Sequence, residues 1–162
     1  EIEMAQTWNV VTVTLTTDAE SIGDNKVIAQ SIEIPNFFTA NSGRSLIQSI
    51  VLLDETTTGP AIDLLFSTTD DAITQDEGKA IGEDIADLDA VFANFVGHVN
   101  IVAGDWTDMF DAKLATKSSI GLVVHGPSDS TSLYCHAVNR SGSNWTAAAT
   151  TNLKMKIGVQ KY

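Results

Sequence analysis

The sequence predicts an all-β fold: an antiparallel β-sandwich or jelly roll of about eight strands, with one short helix or compact loop. Three observations carry this. Side chains alternate apolar and polar in short runs, the runs are rich in Val, Ile, Leu and Thr, and Gly, Pro, Asn and Asp punctuate the gaps. Successive strand side chains point to opposite faces, so period-two alternation marks a strand buried on one face. Many short strands separated by turn residues build sandwiches and jelly rolls.

In chain order, "NVVTVTLTT" comes first, with Val11, Val13 and Leu15 on one face and Thr12, Thr14 and Thr16 on the other. "KVIAQSIEI" follows the turn Gly23-Asp24-Asn25, "SLIQSIVLL" follows Asn41-Ser42-Gly43, and "AIDLLFS" follows Gly59-Pro60. Between Gly82 and Phe95 the period changes. Ile85, Leu88, Val91, Phe92 and Phe95 recur at intervals of three and four, which is one helix face. Glu83 and Asp84 would stand in its first turn, where the helix dipole favours carboxylates. Strand signals resume with "VGHVNIV", "IGLVVHG" and "LYCHAVNR", separated by Gly104-Asp105, Gly126-Pro127 and Ser141-Gly142-Ser143. In the last strand Leu153, Met155, Ile157 and Val159 alternate with Lys154, Lys156, Gly158 and Gln160.

A chain of 162 residues without internal repeat or linker reads as a single domain, 1–162, large enough to bury its own core. The longest apolar runs fall far short of the ~20 residues that span a bilayer. No basic-then-apolar leader is visible, and no membrane association is expected. The net charge is −12, from 21 acids against 9 Lys and Arg. Nucleic-acid phosphates repel such a surface, so no nucleic-acid partner is expected. Cys135 is the single cysteine, which rules out an internal disulfide.

Residues 70–89 hold eight carboxylates and one lysine, Lys79. An EF-hand loop needs alternating oxygens and a late bidentate glutamate. "DDAITQDEGKAI" has adjacent acids, and Ile81 at the glutamate position. The run therefore reads as a solvated acidic loop, with calcium at Asp84, Asp87 and Asp89 as the lesser alternative. His98, His125 and His136 show no metal-pair spacing, and "GPSDS" is not a nucleophile elbow. Cys135 alternates with Leu133 and Ala137, as a small buried hydrophobe does. No catalytic residue, metal ligand or cofactor site is assigned, and the chain is read as a non-enzyme. Trp106, after a Gly-Asp turn, is expected to plug the end of the core. Trp145, in the polar stretch "SGSNWTAAATT", is the leading candidate for an intermolecular contact, with Trp8 and Tyr134 beside it.

The order of segments adds a resemblance. "SLIQSIVLLDETTTGPAIDLLFS", "DIADLDAVFANFVGHVNIVAGDW", "ATKSSIGLVV", "TSLYCHAVNRSGSNWTAA" and "LKMKIGVQ" are similar to a family of small tailed-bacteriophage proteins, over roughly residues 43–160. The shared features are an Ile-Gln-Ser-strand-Asp block, an Asp/Leu block running into Val-Gly, a following Trp and a Leu-Tyr strand. The resemblance implies a virion structural protein, a head decoration (cement) protein on the capsid exterior. Its partner would be the major capsid protein, met through a largely apolar contact, and the protein would form a homo-oligomer, favoured as a trimer. The alternative is a tail, neck or fibre-associated virion module, binding carbohydrate through Trp145, Tyr134 or the acidic loop.

Overall fold

A computed structural model describes residues 7–17, 20–70, 78, 80, 93–147 and 149–162. Among them the strands are β1 (Thr7–Leu15), β2 (Ser21–Ile22), β3 (Val27–Ile34), β4 (Arg44–Asp54), β5 (Ile62–Ser67), β6 (Phe95–Ile101), β7 (Trp106–Asp108), β8 (Lys113–His125), β9 (Leu133–Asn139), β10 (Trp145–Thr146) and β11 (Leu153–Lys161). They form a five-stranded sheet ordered β1-β11-β4-β8-β7, a four-stranded sheet ordered β3-β9-β5-β6 and a small β2–β10 ribbon.

The eight long strands pair in a nested way. The first pairs with the last (β1–β11), the second with the seventh (β3–β9), the third with the sixth (β4–β8) and the middle two together (β5–β6), all antiparallel. Rolling such a nested set of hairpins into two facing sheets gives a jelly roll. The eight predicted strands are these eight; β2, β7 and β10, of two or three residues each, are the additions.

Alternation does what the sequence predicts. Leu15, Ile50, Leu52, Ala115, Met155 and Ile157 point inward from the five-stranded sheet and Ile34, Leu64, Phe66 and Cys135 from the other, all fully buried. Burial of each large aliphatic or aromatic side chain contributes about 1.5–3 kcal/mol. Phe37 and Phe38 meet edge to face, centroids 5.1 Å apart, at the end where β3 leaves its sheet. Trp106 closes the opposite end as expected, half-buried against the core with its indole N–H donating to the Pro60 carbonyl at 2.9 Å.

Two buried polar side chains fix the loops at that end. Asp54 accepts from Thr56 N at 2.8 Å, Thr56 Oγ1 at 2.6 Å and Gly59 N at 2.8 Å, folding "DETTTG" into a turn. Gly59 sits at φ 62°, and a Cβ there would come 2.7 Å from the Lys113 side chain. Asn139 donates to the carbonyls of Ile22, Gly23 and Ser143, and accepts from Ser141 N at 3.0 Å and Ser141 Oγ at 2.7 Å. It ties the two loops that carry β2 and β10 to the four-stranded sheet.

The helix predicted over Gly82–Phe95 lies outside the described residues up to residue 92. Ala93 and Asn94 are helical, and Phe95 opens β6 instead of closing a helix. Of the acidic stretch, Asp70, Gly78 and Ala80 are described; Gly78 N donates to Val27 O at 2.9 Å, and Ala80 bridges Lys26 beside β3.

Candidate interaction surface

The strands' inward rows build the core, so their outward rows decide what the molecule presents. Across the five-stranded sheet, register places Trp8, Gln160, Leu46 and Val123 in one outward row and Thr12, Lys156, Val51 and Thr116 in another. A third runs Thr14, Lys154, Leu53 and Leu114. Trp8 is 63% exposed, Val10 69% and Val123 67%. Thr12, Val51, Leu53, Leu114, Lys154 and Lys156 line a depression of ≈ 160 Å³. An outward sheet face normally carries polar side chains; this one is apolar over much of its width.

Its charge also departs from the whole. The charged strand positions on this face are Arg44, Lys154 and Lys156, and no carboxylate stands among its described outward strand positions. Glu55, at the rim, meets Lys154 at 2.5 Å, and that ammonium group holds its carboxyl below the usual range. On a chain of net charge −12, a cationic and apolar face is a local reversal.

The other sheet face is acidic and hydrogen-bonded. Asp63 accepts from Asn100 Nδ2 at 2.7 Å and Arg140 Nε at 2.8 Å. Tyr134 is half-buried; burial, then the negative charges of Glu33, Asp70 and Asp129, push its phenol up. Next to it His136 is fully buried. Ser31 N donates to His136 Nδ1 at 3.0 Å, and Ser67 Oγ lies 3.0 Å from Nε2. Ser67 Oγ also donates to the Thr69 carbonyl at 2.9 Å.

Ser67 and His136 have the separation of a nucleophile and its base, but the proton runs the wrong way. An occupied Nδ1 acceptor leaves the ring proton on Nε2, which donates to Ser67, and the serine proton is spent on Thr69. Burial lowers the imidazole pKa to about 4, so the ring is neutral. The cluster is a satisfied structural network. His98 and His136 both lie opposite Leu65, on either side of it, and so do not touch; His125 is on β8 opposite Arg44. Cys135 is fully buried, which pushes its thiol up. Among the described residues no three His, Cys, Asp or Glu gather as metal ligands, and Asp84, Asp87 and Asp89 fall outside them.

Of the three residues proposed for contact, the structure corrects one. Trp145 is 1% exposed, paired with Ile22 in the β2–β10 ribbon and part of the core, so it presents nothing to a partner. Trp8 does stand outward, on the apolar face. Tyr134 is half-buried on the opposite, acidic side. Sequence reasoning missed Leu46, Val51, Leu53, Leu114 and Val123 as surface; for the first three the signal was "SLIQSIVLL", whose residues are apolar at both parities. No protein-family model matches the chain, and no curated protein shows significant similarity to it.

Proposed function

We propose that this chain is a virion structural protein of a tailed bacteriophage, a head decoration protein that adheres to the capsid exterior through the outer face of its five-stranded sheet. The observation that carries the reading is that face, with Trp8, Val10 and Val123 exposed beside Lys154 and Lys156 and no carboxylate among its described outward strand positions. Apolar side chains exposed on one sheet face, here on β1 and on the adjacent β4 and β8 with the polar outward row of β11 between, are a mark of a protein-binding surface. The jelly roll is a fold of capsid and lectin domains, which fits the reading at the level of analogy. Adhesion needs no reaction centre, and the Ser67–His136 contact is wired against catalysis.

In this role the chain adds buried area across neighbouring capsid subunits, and many repeated weak contacts sum to a stable coat. The apolar rows supply affinity, and the lysines steer approach to a carboxylate-bearing shell surface. The carbohydrate-binding alternative loses its main platform with Trp145 in the core. Peptide mass spectrometry of purified virions tests the proposal: the chain should be recovered with intact heads, in many copies per particle. Its absence from virions, or its recovery with detached tails alone, overturns it.

A further inference from the structure

A sandwich has four sheet edges, and three of these are protected against strand addition. β7 is three residues long. β3 carries two register breaks and a residue at positive φ, Ser31 at 47°. β6 breaks register against β5 at Phe66/Ser67 and contains Gly97 at φ 150°. Shortness, bulges and charge are how proteins blunt an edge.

β1 has none of these devices. It runs nine residues in unbroken register with β11, "TWNVVTVTL", without a charge or a proline. Thr7, Trp8, Asn9 and Val10 are all exposed, although consecutive residues face opposite ways, so this half of the strand stands clear on both faces. Among the described residues nothing pairs with its other edge. An extended strand on such an edge is met by another strand.

We propose that two copies of this chain pair through their free β1 edges, antiparallel about a two-fold axis at Asn9. Asn9 then faces Asn9, and a strand period of two sets Trp8 opposite the partner copy's Val10 on the outer face, and Val10 opposite its Trp8. The two largest exposed side chains of the strand thus complete each other twice. Cross-strand pairs of an aromatic and a β-branched residue are among the stabilising ones. Self-pairing also brings no like charges together in β1, whereas the −12 charge disfavours association by the acidic surfaces. An edge pair of this kind closes as an isologous dimer instead of the trimer that the resemblance implies. It joins two five-stranded sheets into one continuous outer face. Five paired residues bury far less than the ~1,600 Å² of a standard interface, so the dimer is weak and gains strength from simultaneous attachment.

The inference is independent of what the outer face binds, and its test uses the isolated chain. Asn9→Cys places two thiols across the axis at about the 4.5–5.5 Å Cα spacing of an antiparallel pair, within disulfide reach. Cys135 is buried and stays out of the reaction. Under mild oxidation Asn9→Cys should give the two-copy covalent species. Thr7→Cys alone should not, but Thr7→Cys mixed with Val11→Cys should. Sedimentation at high concentration should show two-copy mass, lost in Asn9→Lys with the melting temperature of the dilute chain unchanged. Equal cross-linking of Thr7→Cys and Asn9→Cys, a three-copy mass, or a one-copy mass at millimolar chain overturns the proposal.

Discussion

The backbone N–H of Ser31 points at Nδ1 of His136 over 3.0 Å, across 105 residues of chain. That contact decides the chemistry of the four-stranded sheet. It settles the tautomer, turns His136 from an acceptor of the Ser67 proton into a donor toward Ser67, and keeps a buried ring neutral.

Stability should fall as the pH drops through the range set by this ring. Unfolded, His136 protonates near 6.5; folded, not until about 4. Between these values the unfolded state binds more protons, so stability rises with pH. The stabilisation is complete above 6.5 and is lost on acidification toward 4, at up to ~1.4 kcal/mol per pH unit and roughly 3 kcal/mol in all. Asp105, pushed up by burial but brought below its usual range by Lys117 at 2.7 Å and by the Val102 N–H, shifts stability in the same direction at lower pH. Urea unfolding from pH 7 to 4 measures the slope. His136→Gln should flatten it, and parallel profiles for the two proteins would disprove the assignment.

Trp145 and Trp8 should separate stability from adhesion. Trp145→Ala empties a core site and should cost about 3–5 kcal/mol. Trp145→Phe should cost less than its lost area suggests, because the indole N–H finds no acceptor among the described residues. Trp8→Ala, at a 63% exposed position, should change stability by no more than about 0.5 kcal/mol. Thermal melts of the three variants check this ordering.

Two turn residues should respond in opposite directions. Gly59→Ala forces a Cβ into Lys113 and Trp106 at a positive φ, and should destabilise by about 1–3 kcal/mol. Phe110 is a non-glycine residue at φ 79°, 90% exposed at the tip between β7 and β8. Phe110→Gly should raise stability by about 1 kcal/mol, the usual cost of a left-handed side-chain residue. Chemical denaturation of each variant gives the sign directly.

Head binding should depend on the apolar rows more than on the lysines. Val123→Asp, at an exposed position on β8, should abolish co-sedimentation with purified heads while leaving the fold intact. Lys156→Glu should mainly slow association and make it more salt-dependent. Val123 lies three strands from the β1 edge, so loss of head binding and loss of the dimer are separable.

The long strands were legible because alternation is a local property. The last strand reads Leu153, Met155, Ile157, Val159 in sequence and buries those same four residues. What escaped depends on distant chain. Trp145 sits in a polar stretch, and its burial comes from Ile22, 123 positions earlier, held by the Asn139 hub. His136 shares a face with Tyr134 and Val138 and reads as an ordinary polar or partly buried histidine, but β3's irregular register brings Ser31 over it and it is fully buried. Gly82–Phe95 has a helical period in sequence, yet Phe95 belongs to the β6 ladder with Ser67. The apolar outer face was visible as doubled apolar parity in β4. Only the sheet order shows that Leu114 and Val123 of β8 extend it on one side and that β11 sets Lys154 and Lys156 beside it on the other.

The most direct measurement is a cryo-electron microscopy map of the intact particle at a resolution that separates strands. The account predicts jelly-roll density on the outside of the head, with the five-stranded sheet turned toward the shell and Trp8 and Val123 at the contact. Density attached through the four-stranded sheet, or found only on the tail, would contradict it.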